Sequence, residues 1–396
     1  MAIRIEAIIN PALLVWARKT AGLTESETAS KIKADIKRIQ SWEVGETRPS
    51  VSQLRRLAEI YKRPLAVFFL AEPPKGFEAM HDFRRLPEEF LGRESPDLRL
   101  EIRKAHYRRE AAIDLYDLLQ ETPPRFEKKF DLHADAEEVA GTIRSLLGIE
   151  VKSQSGWKSE YEAFNTWRHA VETLGILVFQ SSGIDLEEMR GFSLALDPLP
   201  IIALNVKDSV RGRMFTLFHE LAHVMLREDG ICDLDEGTRH KSRDQQVEIQ
   251  ANMIAGAALV PRATLLGDSI VVSATKERAW PEEEIAVLAK RFWVSREVIL
   301  RRLLIIGKTT NEFYRQKHDQ YAQEYKSFAK AGGFVQPHVS ALSKAGELYV
   351  RLVLSGYAQE KITSSDLSDL LEVRLKHIPK IQEALLRRSY DSGAET

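Results

Sequence analysis

His219-Glu220-Leu221-Ala222-His223 puts two imidazoles and a carboxylate into one short stretch, and a further carboxylate, Glu248, follows in a second apolar run. Residues four apart lie on one face of a helix, so His219 and His223 can converge on one Zn²⁺ while Glu220, one position on, reaches a water beside the metal. With 10 His in 396 residues, about 0.02 HExxH matches are expected by chance. Met214, Phe215, Leu217, Phe218, Leu221, Val224, Met225 and Leu226 make this helix apolar nearly all round, which predicts burial. Buried imidazoles and a buried carboxylate need a partner, and a metal ion is one.

A catalytic zinc site takes three protein ligands and keeps one position open. The helix expected over Val247 to Leu259 can supply the third: Glu248 and Asn252 are four apart and share a face. Glu248 is therefore the candidate ligand, and Asn252 is expected to hydrogen-bond His219 or His223 from outside the ligand set. Glu220 is the candidate general base, deprotonating water for attack on a carbonyl and carrying the proton to a leaving amine. Four other residues have two readings each. Cys232 is either a thiolate on the fourth position or a small reduced residue. His240 either stabilises an oxyanion or lies in solvent, and Arg211 and Arg213 either steer a substrate carboxylate or pair with nearby acids. His169 reads as structural.

These residues need a scaffold. Helices are expected over Asp135 to Leu147 and Ser159 to Leu174, followed by three short apolar segments, Ile176 to Gln180, Gly191 to Leu196 and Ile201 to Asn205, that read as a small sheet. An edge strand beside the metal can hold an extended peptide by main-chain hydrogen bonds, which makes a polypeptide the expected substrate, with Gly191 to Leu196 the candidate edge. At the N-terminus, Pro11, the capping box Thr24-Glu25-Ser26-Glu27, Asp35 and Pro49-Ser50 start successive short helices. That is the layout of a helix-turn-helix.

Gly22-Leu23, Ala29, Ile39 through Gly45 and Pro49-Ser50 resemble the lambda-repressor-like (Xre-type) helix-turn-helix family over roughly the first 70 residues. The resemblance implies a helix after Asp35 lying in the major groove of an operator, with Ile36, Lys37 and Ser41 at base edges and Arg38 and Gln40 beside them. Glu25 stands where that family often has Gln, and Lys33 replaces the usual turn glycine. Arg213 through His223, Glu248 with Ala251-Asn252, Leu259 through Pro261 and Leu288 through Leu303 resemble the ImmA/IrrE family of zinc metallopeptidases. Ala222 stands where that family frequently has Gly. This second resemblance implies a gluzincin-like α+β fold, Zn²⁺ as cofactor, and cleavage of a repressor-type protein after stress or in control of mobile elements. The activity is expected to be latent or highly specific.

Residues 1 to 72 hold 12 Lys+Arg against 8 Asp+Glu, while the rest holds 45 against 50, so the basic balance sits on the first segment of a chain whose net charge is −1. A single cysteine suits a reducing cytoplasm, and no run is long enough for a membrane span. The expected fold is multidomain and mainly α: an all-α helix-turn-helix domain (1–72), a linker and long helix (73–127), a zinc peptidase domain with a small sheet (128–310) and a helical C-terminal region (311–396). In that region Ile362 to Leu371 with Lys376 to Pro379 looks superficially like another helix-turn-helix, and an oligomerisation or regulatory role is expected for it. The expected protein is a cytoplasmic, homodimeric DNA-binding transcriptional regulator fused to a zinc metalloendopeptidase that cleaves a repressor-type or antitoxin-type partner. The alternative is a DNA-binding repressor or antitoxin whose zinc domain binds a partner, such as a toxin, without proteolysis.

Overall fold

Asn10 and Pro11 start the first helix: the Asn10 side chain accepts from the Ala12 amide at 3.0 Å, and proline at the first position surrenders an N–H that has no helical partner there. The computed structural model describes residues 6–74, 95–226, 239–274, 276–327 and 336–393. The expected connector over 73–97 and the Gly332-Gly333 break lie almost wholly outside them. The chain divides into two units, Met1–Lys104 with Gly183–Met189, and Ala105–Ser182 with Arg190–Thr396.

The first unit contains α1 (Pro11–Thr20), α2 (Glu25–Ile32), α3 (Ile36–Glu43), α4 (Val51–Ile60) and a 3₁₀ turn, Leu65–Phe69. The sequence marks each start: Thr24 and Glu27 form a capping box, Asp35 accepts from the Lys37 amide, and Ser50 forms a second box with Gln53. Lys33, in the turn between α2 and α3, takes a left-handed backbone with φ of 57°, a conformation that favours glycine. Leu13, Leu14, Ile39, Trp42, Leu54 and Leu57 form the core. The largely buried Arg18 makes two 2.7 Å bonds to Glu43, tying α1 to α3 by a charge-assisted fork.

α5 (Pro96–Leu118) contains the division between the units, near Lys104. Within the second unit its buried Ala112 and Leu115 join a core, and Arg108 lies over the Phe179 ring and bonds Glu372 at 2.9 Å. This half of the helix is packed rather than standing free as a spacer.

The second unit continues with α6 (Ala136–Leu147), α7 (Val151–Gly156) and α8 (Glu160–Thr173), then β1 (Leu177–Ser181), β2 (Gly191–Leu194) and β3 (Ile201–Asn205). The strand order is β1-β3-β2, with β3 parallel to β1 and antiparallel to β2. β1 and β3 are buried along their whole length, their apolar starts followed by the buried polar Gln180, Ser181 and Asn205, whereas β2 alternates, with Phe192 and Leu194 inward. α9 (Val210–Met225) packs behind β2 and β3, and α10 (Arg239–Leu259) runs between α9 and α6. The small buried residues Ala251, Ala255 and Ala258 fit it into that layer. α10 starts earlier than the expected Val247 because its polar first turns contain no Gly or Pro and are good helix formers, although they show no apolar period.

α11 (Arg262–Gly267), α12 (Ser269–Val272), α13 (Glu282–Arg291), α14 (Arg296–Ile305) and α15 (Asn311–Ser327) follow. The C-terminal region is α16 (Pro337–Ala345), α17 (Glu347–Ala358), α18 (Ser364–Leu370), a 3₁₀ turn Leu375–His377, and α19 (Ile378–Gly393). α16 and α17 are separated at Gly346, whose φ is +83°. A Cβ there would stand 2.3 Å from Glu172 Oε1 and 2.7 Å from the Val178 carbonyl. The break lets the backbone lie against the outer side of β1, where Gln180 Nε2 and Arg168 Nη1 both donate to the Ser343 carbonyl. No helix among the described residues is long and apolar enough to cross a membrane.

This junction is charged and buried. Both oxygens of Glu172 accept from the Glu347 amide at 3.1 Å, with Arg168 3.5 Å away, and burial pushes the Glu172 carboxyl up to about 7. His169, 3.6 Å from Glu347, is raised above its ordinary value by that contact, and Arg351 bonds the same carboxylate. Between pH 4.5 and about 7 the folded Glu172 holds a proton that the unfolded chain releases, so stability falls as pH rises through this window. The His169 contribution is full below pH 6.5 and is lost as pH rises above it, so both slopes run the same way. The melting temperature is therefore expected to drop from pH 5 to pH 8, and Glu172→Gln, which keeps an acceptor for Glu347, should flatten that drop. An unchanged pH profile in the variant would show that Glu172 is not the group that titrates.

Candidate metal centre and helix-turn-helix

Ser209 caps α9 by accepting from the Gly212 amide, and the helix then buries Met214, Leu217, Phe218, Leu221 and Ala222. Trp167 of α8 meets Phe218 edge-on at 4.8 Å and fixes the helix rotation. That rotation turns His219 and His223 toward α10. α10 is anchored at its far end by buried polar groups. Gln154 donates to the carbonyls of Leu259 and Phe292, Arg144 to those of Ala258 and Ile149, and Arg302 to that of Val260. These bonds satisfy carbonyls that a helix end leaves without partners, and so set the position of Glu248 three turns upstream.

The three side chains meet. His223 Nε2 lies 3.1 Å from Glu248 Oε1, His219 Nε2 lies 3.3 Å from Glu248 Oε2, and the two Nε2 atoms are 3.0 Å apart. A tetrahedral zinc with bonds of about 2.0–2.1 Å holds its ligand atoms about 3.3 Å from one another, so the triangle has the size that ion requires. Two imidazole nitrogens and one carboxylate are also the donor set it prefers. Burial alone would raise the Glu248 carboxyl, but hydrogen bonds and charge from the two imidazoles outweigh it and hold the group well below the usual carboxylate range. The His223 side chain is 0% exposed, that of His219 16% and that of Glu248 41%, so the cluster opens on the Glu248 side.

Glu220 lies on the side of α9 that faces β2. Its side chain is buried beside β2: a Cβ built on Gly191 would stand 3.4 Å from Glu220 Cγ, 2.4 Å from Thr216 Cγ2 and 3.0 Å from the Ala203 carbonyl. The missing side chain at Gly191 is what lets the strand come this close to the helix. Gly191→Ala is expected to cost ~1–3 kcal/mol by overpacking. That should appear as a melting temperature lowered by about 2–4 °C per kcal/mol, and an unshifted melting curve would mean that β2 has room to give. Gly191 was legible as the start of a strand, but its close approach was not. Phe215, stacked on His219 with centroids 6.4 Å apart, was signalled by its spacing of four.

Asn252 needs correction. Its amide donates to the Glu248 carbonyl at 2.8 Å, within its own helix, instead of to either imidazole. An Asn side chain competes for the backbone one turn back, and here that local bond wins. Arg213 is buried over the Phe164 ring and bonds Gln180, while Arg211 reaches Glu160 and the Val294 carbonyl, so both pair internally. Cys232 and the side chain of His240 lie outside the described residues.

In the first unit Ile36, Lys37, Arg38 and Gln40 are exposed on α3, opposite the buried Ile39 and Trp42, and Ser41 is half-buried beside them. Lys37 and Arg38 reach outward, with Arg38 over the Trp42 ring. Gln40 donates to Glu25 at 2.7 Å, and Ser41 bonds Thr47 at 2.7 Å.

No curated protein matches the chain. Residues 171–304 match the model of peptidase family M78, described as the IrrE N-terminal-like domain, and residues 14–68 match the family described as Helix-turn-helix. The first match spans the sheet, both ligand helices and α13; the second spans nearly all of α1 to α4 and the turn after it. The protein thus joins a helix-turn-helix domain to an IrrE N-terminal-like domain of the M78 peptidase type.

Proposed function

We propose that the protein is a DNA-binding regulator whose second domain is a zinc endopeptidase acting on a partner protein of repressor or antitoxin type. The observation that carries this reading is the convergence of His219, His223 and Glu248 beside Glu220 and β2. His219, His223 and Glu248 would hold the Zn²⁺, which when bound would supply a Lewis acid for a carbonyl and bring the pKa of water down to about 7. Glu220 takes the proton released as water attacks the carbonyl carbon, and returns it to the amide nitrogen as the C–N bond breaks. The helix-turn-helix would bring the protein to an operator through α3, with Ile36, Lys37, Arg38, Gln40 and Ser41 on the facing surface, and a homodimer would suit a palindromic site.

β2 is the outer strand of the sheet. Arg190 accepts from the Asn205 amide, so by strand alternation the main-chain groups of Gly191 point away from β3. An extended substrate adding there would run past Glu220, which is why a polypeptide fits this site better than a small amide. In host cells carrying Glu220→Gln in place of the native residue, the substrate should accumulate uncut and be identified by mass spectrometry. A proteome with the same intact proteins and fragments in both strains would overturn the reading.

A further inference from the structure

α18, the turn after it and α19 follow the pattern of α2, its turn and α3 in their cap, their turn and their buried positions. Thr363 caps α18 in a capping box with Asp366, as Thr24 caps α2 with Glu27. Nine residues after each threonine stands the left-handed turn residue, Glu372 with φ of 51° and Lys33 with φ of 57°. The turns share their hydrogen bonds as well: Glu372 to Asp369 and Val373 to Ser368 correspond to Lys33 to Ser30 and Ala34 to Ala29. The buried positions also coincide. Leu367 and Leu371 stand where α2 has Thr28 and Ile32, and Ile378 and Ile381 where α3 has Ile39 and Trp42.

A turn of this shape alone does not make a DNA reader. α13 and α14 flank a similar left-handed residue, Trp293, but α14 buries Ile299, Leu300 and Leu303 in the core and has little surface to offer. α19 and the turn before it differ. Leu375, Lys376 and Lys380, at the positions of Ile36, Lys37 and Ser41, are all exposed, as is Arg374. Asp35 to Glu43 balances Lys37 and Arg38 against two acids, whereas Arg374 to Arg387 sets Arg374, Lys376, Lys380 and Arg387 against Glu383 alone. Glu383 is taken by Arg387 at 2.6 Å. His377 lies among Lys376, Lys380, His338 and Arg374, and loss of water first and then their positive charge hold it below its ordinary value. The turn is held in place by the Arg108 bond to Glu372.

From this correspondence and this charge we infer that α18 to α19 is a second helix-turn-helix that binds duplex DNA, with Lys376 and Lys380 on the groove-facing side. The 3₁₀ turn that opens the second helix follows from Pro379, which has no N–H to give the Leu375 carbonyl and so delays the α-helical pattern by one turn.

The test uses the full chain and a random-sequence duplex of about 30 base pairs, with affinity read by fluorescence anisotropy across a salt series. Lys37→Ala with Arg38→Ala removes the outward cations of α3, the groove-facing helix of the first motif, and salt-dependent binding should survive it. Adding Lys376→Ala with Lys380→Ala should lower the slope of log affinity against log salt by about 2 units, at about 0.9 per phosphate, and weaken binding in 0.1 M salt about tenfold or more. All four positions are exposed, so melting curves should match the parent's. The inference is overturned if binding is already lost in the first pair, or if adding the second pair leaves slope and affinity as they were.

Discussion

Glu220→Gln should hold the same zinc as the parent, about one ion per chain, while cleaving its partner about 10²–10⁴-fold more slowly. The two halves of that expectation come from different geometry. Metal retention follows because the converging donors are His219, His223 and Glu248, with Glu220 turned toward β2. Loss of turnover follows because glutamine keeps the shape of the side chain but cannot accept the proton from attacking water. Metal analysis of the purified variant beside single-turnover cleavage of the natural partner separates them. A variant as fast as the parent would remove Glu220 from the chemistry. Parent and variant that both hold zinc, bind the partner and leave it uncut would make the domain a binding module.

The second large effect belongs to Glu248. Its carboxylate is the one anionic donor in the triangle, and Glu248→Ala removes the carboxylate shared by two imidazole nitrogens that lie 3.0 Å apart. Losing a group that merely supports a ligand typically costs 10–100-fold in metal affinity, so removing a ligand should cost at least about 100-fold. The fold should persist, because α10 is held by its buried alanines and by Gln154, Arg144 and Arg302 at its far end. Added zinc binds only the folded chain and should raise the parent's melting temperature, with little effect on the variant. A variant that kept full zinc through dialysis against a chelator would mean that the third ligand is another residue.

The centre was legible because its chemistry is local. Two histidines four apart on an apolar helix, and a glutamate on the next, state a donor set before any contact is known. The helix-turn-helix was legible for a similar reason, since Thr24, Asp35 and Ser50 are caps that act within three residues of themselves. What stayed hidden was set by partners distant in sequence. Nothing local singles out Gln154 and Arg144, yet both are buried and fix the helix that carries Glu248. Gly346 ends a helix for a reason distant in sequence, the close approach of Glu172 and Val178. Asn252 failed in the opposite sense: a local bond displaced the longer one expected of it. In the C-terminal region an oligomerisation or regulatory role was the expectation, and the exposure of Arg374, Lys376 and Lys380 around the turn at Glu372 is a feature of the fold that no local motif announced.

The covering of β1 by Ser343 to Glu347 bears on how this protein stays apart from copies of itself. β1 and β3 are buried, mostly apolar strands, and a strand of that kind with a bare flank is a template for intermolecular pairing and aggregation. With that flank taken by its own chain, the sheet can lengthen on the β2 side alone, beside the metal-binding cluster. The C-terminal helices therefore leave β2 as the edge of the sheet that a further strand could join.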